Sequence, residues 1–241
     1  AVARPPASRS LLDLLAQLVD RSLVIVEPGG AQHRYRLLET LREYAWEQLA
    51  GNSHLPAHLR QLQARHAAWY LQLAEQAAPE LTGSRQMQWL DRLELEHPNL
   101  RAALACCLAV AGGAAGGAGD GAAASFAPDL AALRLATALM RFWDYRGYVG
   151  EGRMWLRQAL ALPAAAENVP AARAMTAAGW LAYRQGDYTE ARRLLHDALS
   201  IFERAAEEAG YVDALQILAV VEADQGNYQV GRQHLERSLR L

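Results

Sequence analysis

His54 and His58 stand four residues apart, a spacing that sets two imidazoles on one face of a helix, with His66 farther along. Two imidazoles are half of a zinc site. A third ligand and usually a carboxylate are needed, and neither is supplied nearby, so no metal is assigned. Glu94 and Glu96 lie two apart, point different ways on a helix, and read as a solvated face instead of an acid/base pair. Cys106 and Cys107 are the only cysteines and sit in the apolar run LRAALACCLAV, where they are expected to pack as small hydrophobes. All 24 basic residues are Arg. Without a lysine there is neither a P-loop nor Schiff-base chemistry. No GxSxG, GxGxxG, CxxC or triad spacing appears either. The expectation is a chain that is not an enzyme and uses no cofactor.

The elements that carry these residues read as mostly helical. At 241 residues, two structural units are expected. No apolar run approaches the roughly 20 residues of a membrane span. The opening AVARPPASRS lacks the apolar core of a secretory signal, so the expected location is cytoplasmic, with no membrane partner. Net charge is −2, and residues 1–51 balance six Arg against six acids. That flat distribution disfavours direct DNA binding.

Residues 1–51 read as helix, strand, turn, strand, helix. Ser10 with Asp13 fits a capping box for a helix ending near Asp20, and Leu11, Leu14, Leu15, Leu18 and Val19 form its apolar stripe. Leu23 to Val26 and Tyr35 to Leu37 are strands around a Pro28-Gly29-Gly30 turn. Thr40 with Glu43 forms a second capping box, and Gly51 is a C-cap. Residues 52–111 read as a helical connecting bundle. Its first helix, from Pro56 to Ala78, presents Leu59, Leu62, His66, Trp69, Tyr70 and Leu73, and Pro79 stops it. A second helix is broken at His97-Pro98. Residues 112–127, rich in Gly and Ala, are expected to be a flexible linker.

Residues 128–241 are self-similar. RFWDYRGYVGEGRMWLRQALAL, LAYRQGDYTEARRLLHDALSIF and VEADQGNYQVGRQHLERSLRL align on Gly147, Gly186 and Gly226, which are 39 and 40 residues apart. A small residue follows five positions after each glycine (Gly152, Ala191, Gly231) and a leucine nine after (Leu156, Leu195, Leu235). These are the marks of helical hairpins: a tight glycine turn, then small residues where two helices approach closely.

Gly-Asp-Tyr, a small residue and then Ala-Leu resemble the tetratricopeptide motif, with its roughly 34-residue period stretched to about 40. LLDLLAQLVDRSLVIVE, RYRLLETLREYAWEQL, WLDRLELEHPNLRAAL and the repeats, in that order, resemble the region that follows the nucleotide-binding domain of STAND-class bacterial regulators, including LuxR-type and antibiotic-regulator-like activators. The resemblance implies a mostly α chain: a partial winged helix with a small β-hairpin, a helical bundle, then superhelical repeats. It implies a sensor and interaction region whose partners are an NB-ARC-like ATPase domain of the same regulator and a protein, peptide or small anionic inducer held by the repeats. A chain that opens midway into such a unit is expected to be part of a longer protein. The Met-His-Asp motif of related proteins falls on Leu38, Glu39 and Thr40; its histidine is absent, so no nucleotide contact is assigned there.

By the same resemblance, the inward positions of each repeat's first helix fall on Arg134, Arg141 and Tyr145, on Arg173, Trp180, Tyr183 and Arg184, and on Gln216 and Asp224. Guanidinium forks can hold a carboxylate or phosphate in paired hydrogen bonds, and the aromatics add apolar area with polar edges. Two alternatives compete: a DNA-binding winged helix with a repeat dimeriser, which predicts salt-sensitive duplex binding, and a generic peptide-binding repeat adaptor.

Overall fold

The computed structural model describes residues 10–29, 32–50, 56–112, 127–163 and 167–241. The linker (but for its end residues 112 and 127), Gly30, Gly51 and His54 lie outside the described residues. Among those described there are ten helices and one two-stranded sheet, and the chain divides into two compact units, Ala1–Arg60 and Gln61–Leu241. No described helix is long and apolar enough to cross a membrane.

In the first unit, α1 (Leu11–Asp20) starts on Ser10, whose hydroxyl accepts from the Leu12 amide at 3.3 Å. It ends where expected, with Ser22 turning left-handed (φ 57°) and the Leu23 amide donating back to Leu18. Strands β1 (Val24–Gly29) and β2 (Gln32–Leu37) pair antiparallel, Val24 opposite Leu37 and Pro28 opposite His33. The expected turn therefore starts later: Pro28 and Gly29 belong to the ladder. Both strands of a two-stranded sheet are edges, where a residue without an N–H is tolerated. Helix α2 (Glu39–Ala50) opens one residue before Thr40, and the Leu38 carbonyl accepts the Arg42 amide at 2.9 Å. Thr40 is thus inside the first turn instead of capping it. Val24 is buried, whereas Leu12, Leu14, Leu18, Tyr35 and Tyr44 are exposed.

The second unit is helical. Helix α3 (Pro56–Glu80) continues through Pro79, and α4 (Gln86–Gly112) continues through Pro98. The expected break at His97-Pro98 does not occur. An internal proline costs a helix about 3 kcal/mol. Burial of Leu90, Leu93, His97, Leu100, Ala103 and Leu104 on both sides of it holds one continuous helix against the core. The buried stripe of α3 is Ala67, Tyr70, Leu71, Leu73, Ala74, Ala77, and then Leu81 just beyond the helix; of the expected face, Tyr70 and Leu73 are buried whereas Leu62 and Trp69 are exposed. Small residues, Ala67, Ala74 and Ala77, carry much of the close packing and turn the buried face by part of a turn from Leu62 and Trp69.

Three hairpins follow: α5 (Pro128–Arg146) with α6 (Val149–Leu160), α7 (Val169–Arg184) with α8 (Tyr188–Ala205), and α9 (Glu208–Asp224) with α10 (Tyr228–Ser238). Gly147, Gly186 and Gly226 turn them at φ 81°, 77° and 83°. These are left-handed conformations that only glycine adopts without strain. Gly152, five residues on, serves close approach: a Cβ there would stand 2.6 Å from Leu181 Cδ1 and 2.7 Å from Trp143 Cε3. Ala191 is fully buried at the matching place, and a Cβ on Gly231 would meet the Ala219 carbonyl at 2.8 Å. Leu156 and Leu195 are fully buried, while Leu235 of the last hairpin is 45% exposed. One core joins α3 and α4 to the first two hairpins, and a second lies among α7, α8 and α9.

Candidate ligand groove

Because each first helix packs beside the next, α5, α7 and α9 lie in a row, and residues in the same register of successive repeats line up across them. The positions thirteen, ten and six residues before each turn glycine are Arg134, Thr137 and Arg141, then Arg173, Thr176 and Trp180, then Asp213, Gln216 and Val220. On a helix these share a face. A groove of about 440 Å³ opens over them, walled by Arg141, Arg173, Trp180, Asp213 and Gln216 with Ile217 and Val220 as apolar floor. Arg134 lines an adjoining hollow of about 380 Å³ beside Glu75 and Pro170.

Four of the expected residues, Arg141, Arg173, Trp180 and Gln216, thus meet in one groove, and Arg134 stands next to it. Tyr145, Tyr183 and Arg184 do not line it. Tyr183 donates to Asp224 at 2.6 Å, a bond that pushes its phenol up to about 12. Asp144 on α5 accepts the Trp180 indole N–H at 2.9 Å and pairs with Arg184 at 2.7 Å. Tyr145 is exposed.

Most guanidiniums around the groove are already engaged by carboxylates of the chain. Arg134 makes a two-pronged pair with Glu75 at 2.7 and 2.8 Å. Arg173 holds Glu207 at 2.6 Å, and Glu207 in turn caps α9 through the Gly210 amide at 2.7 Å. Outside the groove the pattern repeats: Arg153 bonds Asp187, which caps α8, and Arg192 reaches the buried Glu222 at 2.5 Å. These pairs fasten each hairpin to the next. The hydroxyls of Thr137 and Thr176 are spent on the carbonyls of Leu133 and Ala172. Arg141, Asp213 and Gln216 make no hydrogen bond or ion pair with the described residues. Loss of water raises the Asp213 carboxyl above its usual range, opposed by the fields of Arg141 and Arg173.

Asp213 is not marked by residue type, since the face is otherwise rich in Arg and aromatics; its register, thirteen before Gly226 as Arg173 is before Gly186, is the sequence signal for it. Glu94 and Glu96 also differ from a plain solvated face. Glu94 accepts from the Tyr148 hydroxyl at 2.6 Å and Glu96 from Tyr70 at 2.7 Å, so both tie α4 to its neighbours. Cys107 is buried, its thiol pushed up to about 12, and Cys106 is half-buried. Leu38 and Thr40, at the junction of β2 and α2, are exposed.

No family model matches the chain. Over 151 residues, 63% of its length, it is 33% identical to proteins of Mycobacterium bovis and of two strains of Mycobacterium tuberculosis, whose names class them provisionally as HTH-type transcriptional regulators. The match covers 15% of each of those proteins, so the chain is similar to one portion of much longer regulators.

Proposed function

We propose that this chain is the non-catalytic sensor and protein-interaction region of a STAND-type, ATP-dependent transcriptional regulator. In this reading the repeats take up a partner or inducer in the groove over α5, α7 and α9. The helix–hairpin–helix unit, with Leu38, Glu39 and Thr40 at its strand-to-helix junction, couples that occupancy to an ATPase domain of the same regulator. The tetratricopeptide-like character of the hairpins and a cytoplasmic location belong to the same reading. The observation that carries it is the alignment of equivalent positions from three successive first helices into one groove that keeps Arg141 uncommitted. The names of the similar mycobacterial proteins support a regulatory role. The six-to-six charge balance of residues 1–51 argues against a duplex-binding role for that unit.

The test is a transcriptional reporter driven by the complete regulator. Arg141→Ala with Trp180→Phe should reduce the inducible response at least about tenfold, the equivalent of roughly 1.4 kcal/mol of lost binding, while leaving protein level intact. A response equal to wild type at all inducer levels refutes the groove as the sensing site.

A further inference from the structure

The uncommitted polar groups of the groove are of three kinds. Arg141 on α5 supplies a cation, Asp213 on α9 an anion, and Gln216, also on α9, an amide that can donate and accept. Every other charged side chain lining it is engaged: Arg173 is held by Glu207. Arg141 and Asp213 feel each other's field yet form no ion pair within 4 Å. Between them run the Trp180 ring, Ala177, Ile217 and Val220, a strip of apolar surface with Val220 40% exposed. A purely anionic ligand drawn to Arg141 would meet the Asp213 carboxylate at the other wall. A purely cationic one would meet Arg141. A neutral apolar one would leave both charges partly stripped of water and unpaired, which is costly.

On the reading of the groove given above, we infer that its ligand is a short zwitterionic peptide, its carboxylate on Arg141, its ammonium on Asp213, its amide on Gln216 and an apolar side chain over Trp180, Ile217 and Val220. The groove's roughly 440 Å³ lies in the range of small-molecule sites and suits two or three residues. Each extended residue spans about 3.3–3.6 Å, so such peptides place opposite charges farther apart than a direct ion pair, as the walls require.

Alanyl-leucine and alanyl-leucyl-alanine, each free, N-acetylated or C-amidated, can be titrated into the chain by calorimetry and by amide chemical-shift mapping. At least one free peptide should bind with shifts at α5, α7 and α9, and blocking either terminus should weaken it about tenfold. In Arg141→Gln, amidation should cease to matter while acetylation still does; in Asp213→Asn the reverse. Both side chains are exposed, so thermal melting should show both variants folded. If the acetylated peptides bind as well as the free ones and Arg141→Gln abolishes binding, the groove stands as a ligand site and the zwitterion is wrong. If no form binds, or binding shifts fall outside the groove, both are overturned.

Discussion

Gly186 and Gly152 should fail for different reasons when each becomes alanine, and the difference tests the account of the repeats. Gly186 turns α7 into α8 at φ 77°, with nothing within 4 Å of an added Cβ. Its substitution has room but the wrong backbone, and an L-residue held left-handed costs about 1–2 kcal/mol. Asparagine tolerates that conformation, so Gly186→Asn should lose less than Gly186→Ala. Gly152 has an ordinary helical backbone, but an added Cβ would lie 2.6 Å from Leu181 and 2.7 Å from Trp143, both fully buried. Overpacking of that kind costs about 1–3 kcal/mol, and asparagine, being larger, should be worse than alanine there. Urea unfolding of the whole chain reads both, and each kcal/mol should move the thermal midpoint by about 2–4 °C. The decisive outcome is the ordering: Asn better than Ala at 186, worse at 152. An Asn variant as damaging as Ala at position 186, or an unchanged midpoint for Gly152→Ala, would refute the division into turn and close-approach glycines.

Acidification should unfasten α4 from the first hairpin. His97 is buried against Phe142 and Tyr148, with Nε2 3.3 Å from Glu151, and burial lowers its pKa below 6.5 despite the nearby carboxylates of Glu151 and Glu94, Arg101 adding to the lowering. The unfolded chain then takes up the proton first, so stability is lost as pH falls below about 6.5. His97→Phe should flatten part of the fall in the urea midpoint between about pH 7 and pH 5; an identical slope in wild type and variant removes His97 as its source. Cys107, buried with its thiol pushed up to about 12, should resist iodoacetamide at pH 8 in the folded chain and react once urea unfolds it. Equal labelling rates with and without urea would contradict that burial.

The repeats were legible because a turn glycine, a small residue and a leucine each answer a local need that recurs at every hairpin. The boundaries of α1 were legible for the same reason. The course of α3 and α4 was not. Pro98 reads as a break when only the local backbone is weighed, and the alanines of α3 give no signal of size, yet both are settled by what the helices pack against. The groove was half legible: Arg141, Arg173 and Trp180 stand out by type. Gln216 falls among the inward positions that the resemblance implies, Asp213 follows only from the repeat register, and which charges are already spent does not follow from type at all.

Sequence alone therefore determined the periodic features: mostly helical class, the small hairpin and the three glycine turns. These depend on backbone preference and on side-chain periodicity, which act within a few residues. Tertiary structure decided which carboxylate answers which guanidinium. Glu75, Glu207 and Asp144 come from other helices, 59, 34 and 40 positions away from Arg134, Arg173 and Arg184. Ion pairing is a matter of distance in space, and only the packed helices left Arg141, among the described charged residues lining the groove, as the cation that faces Asp213 without a partner.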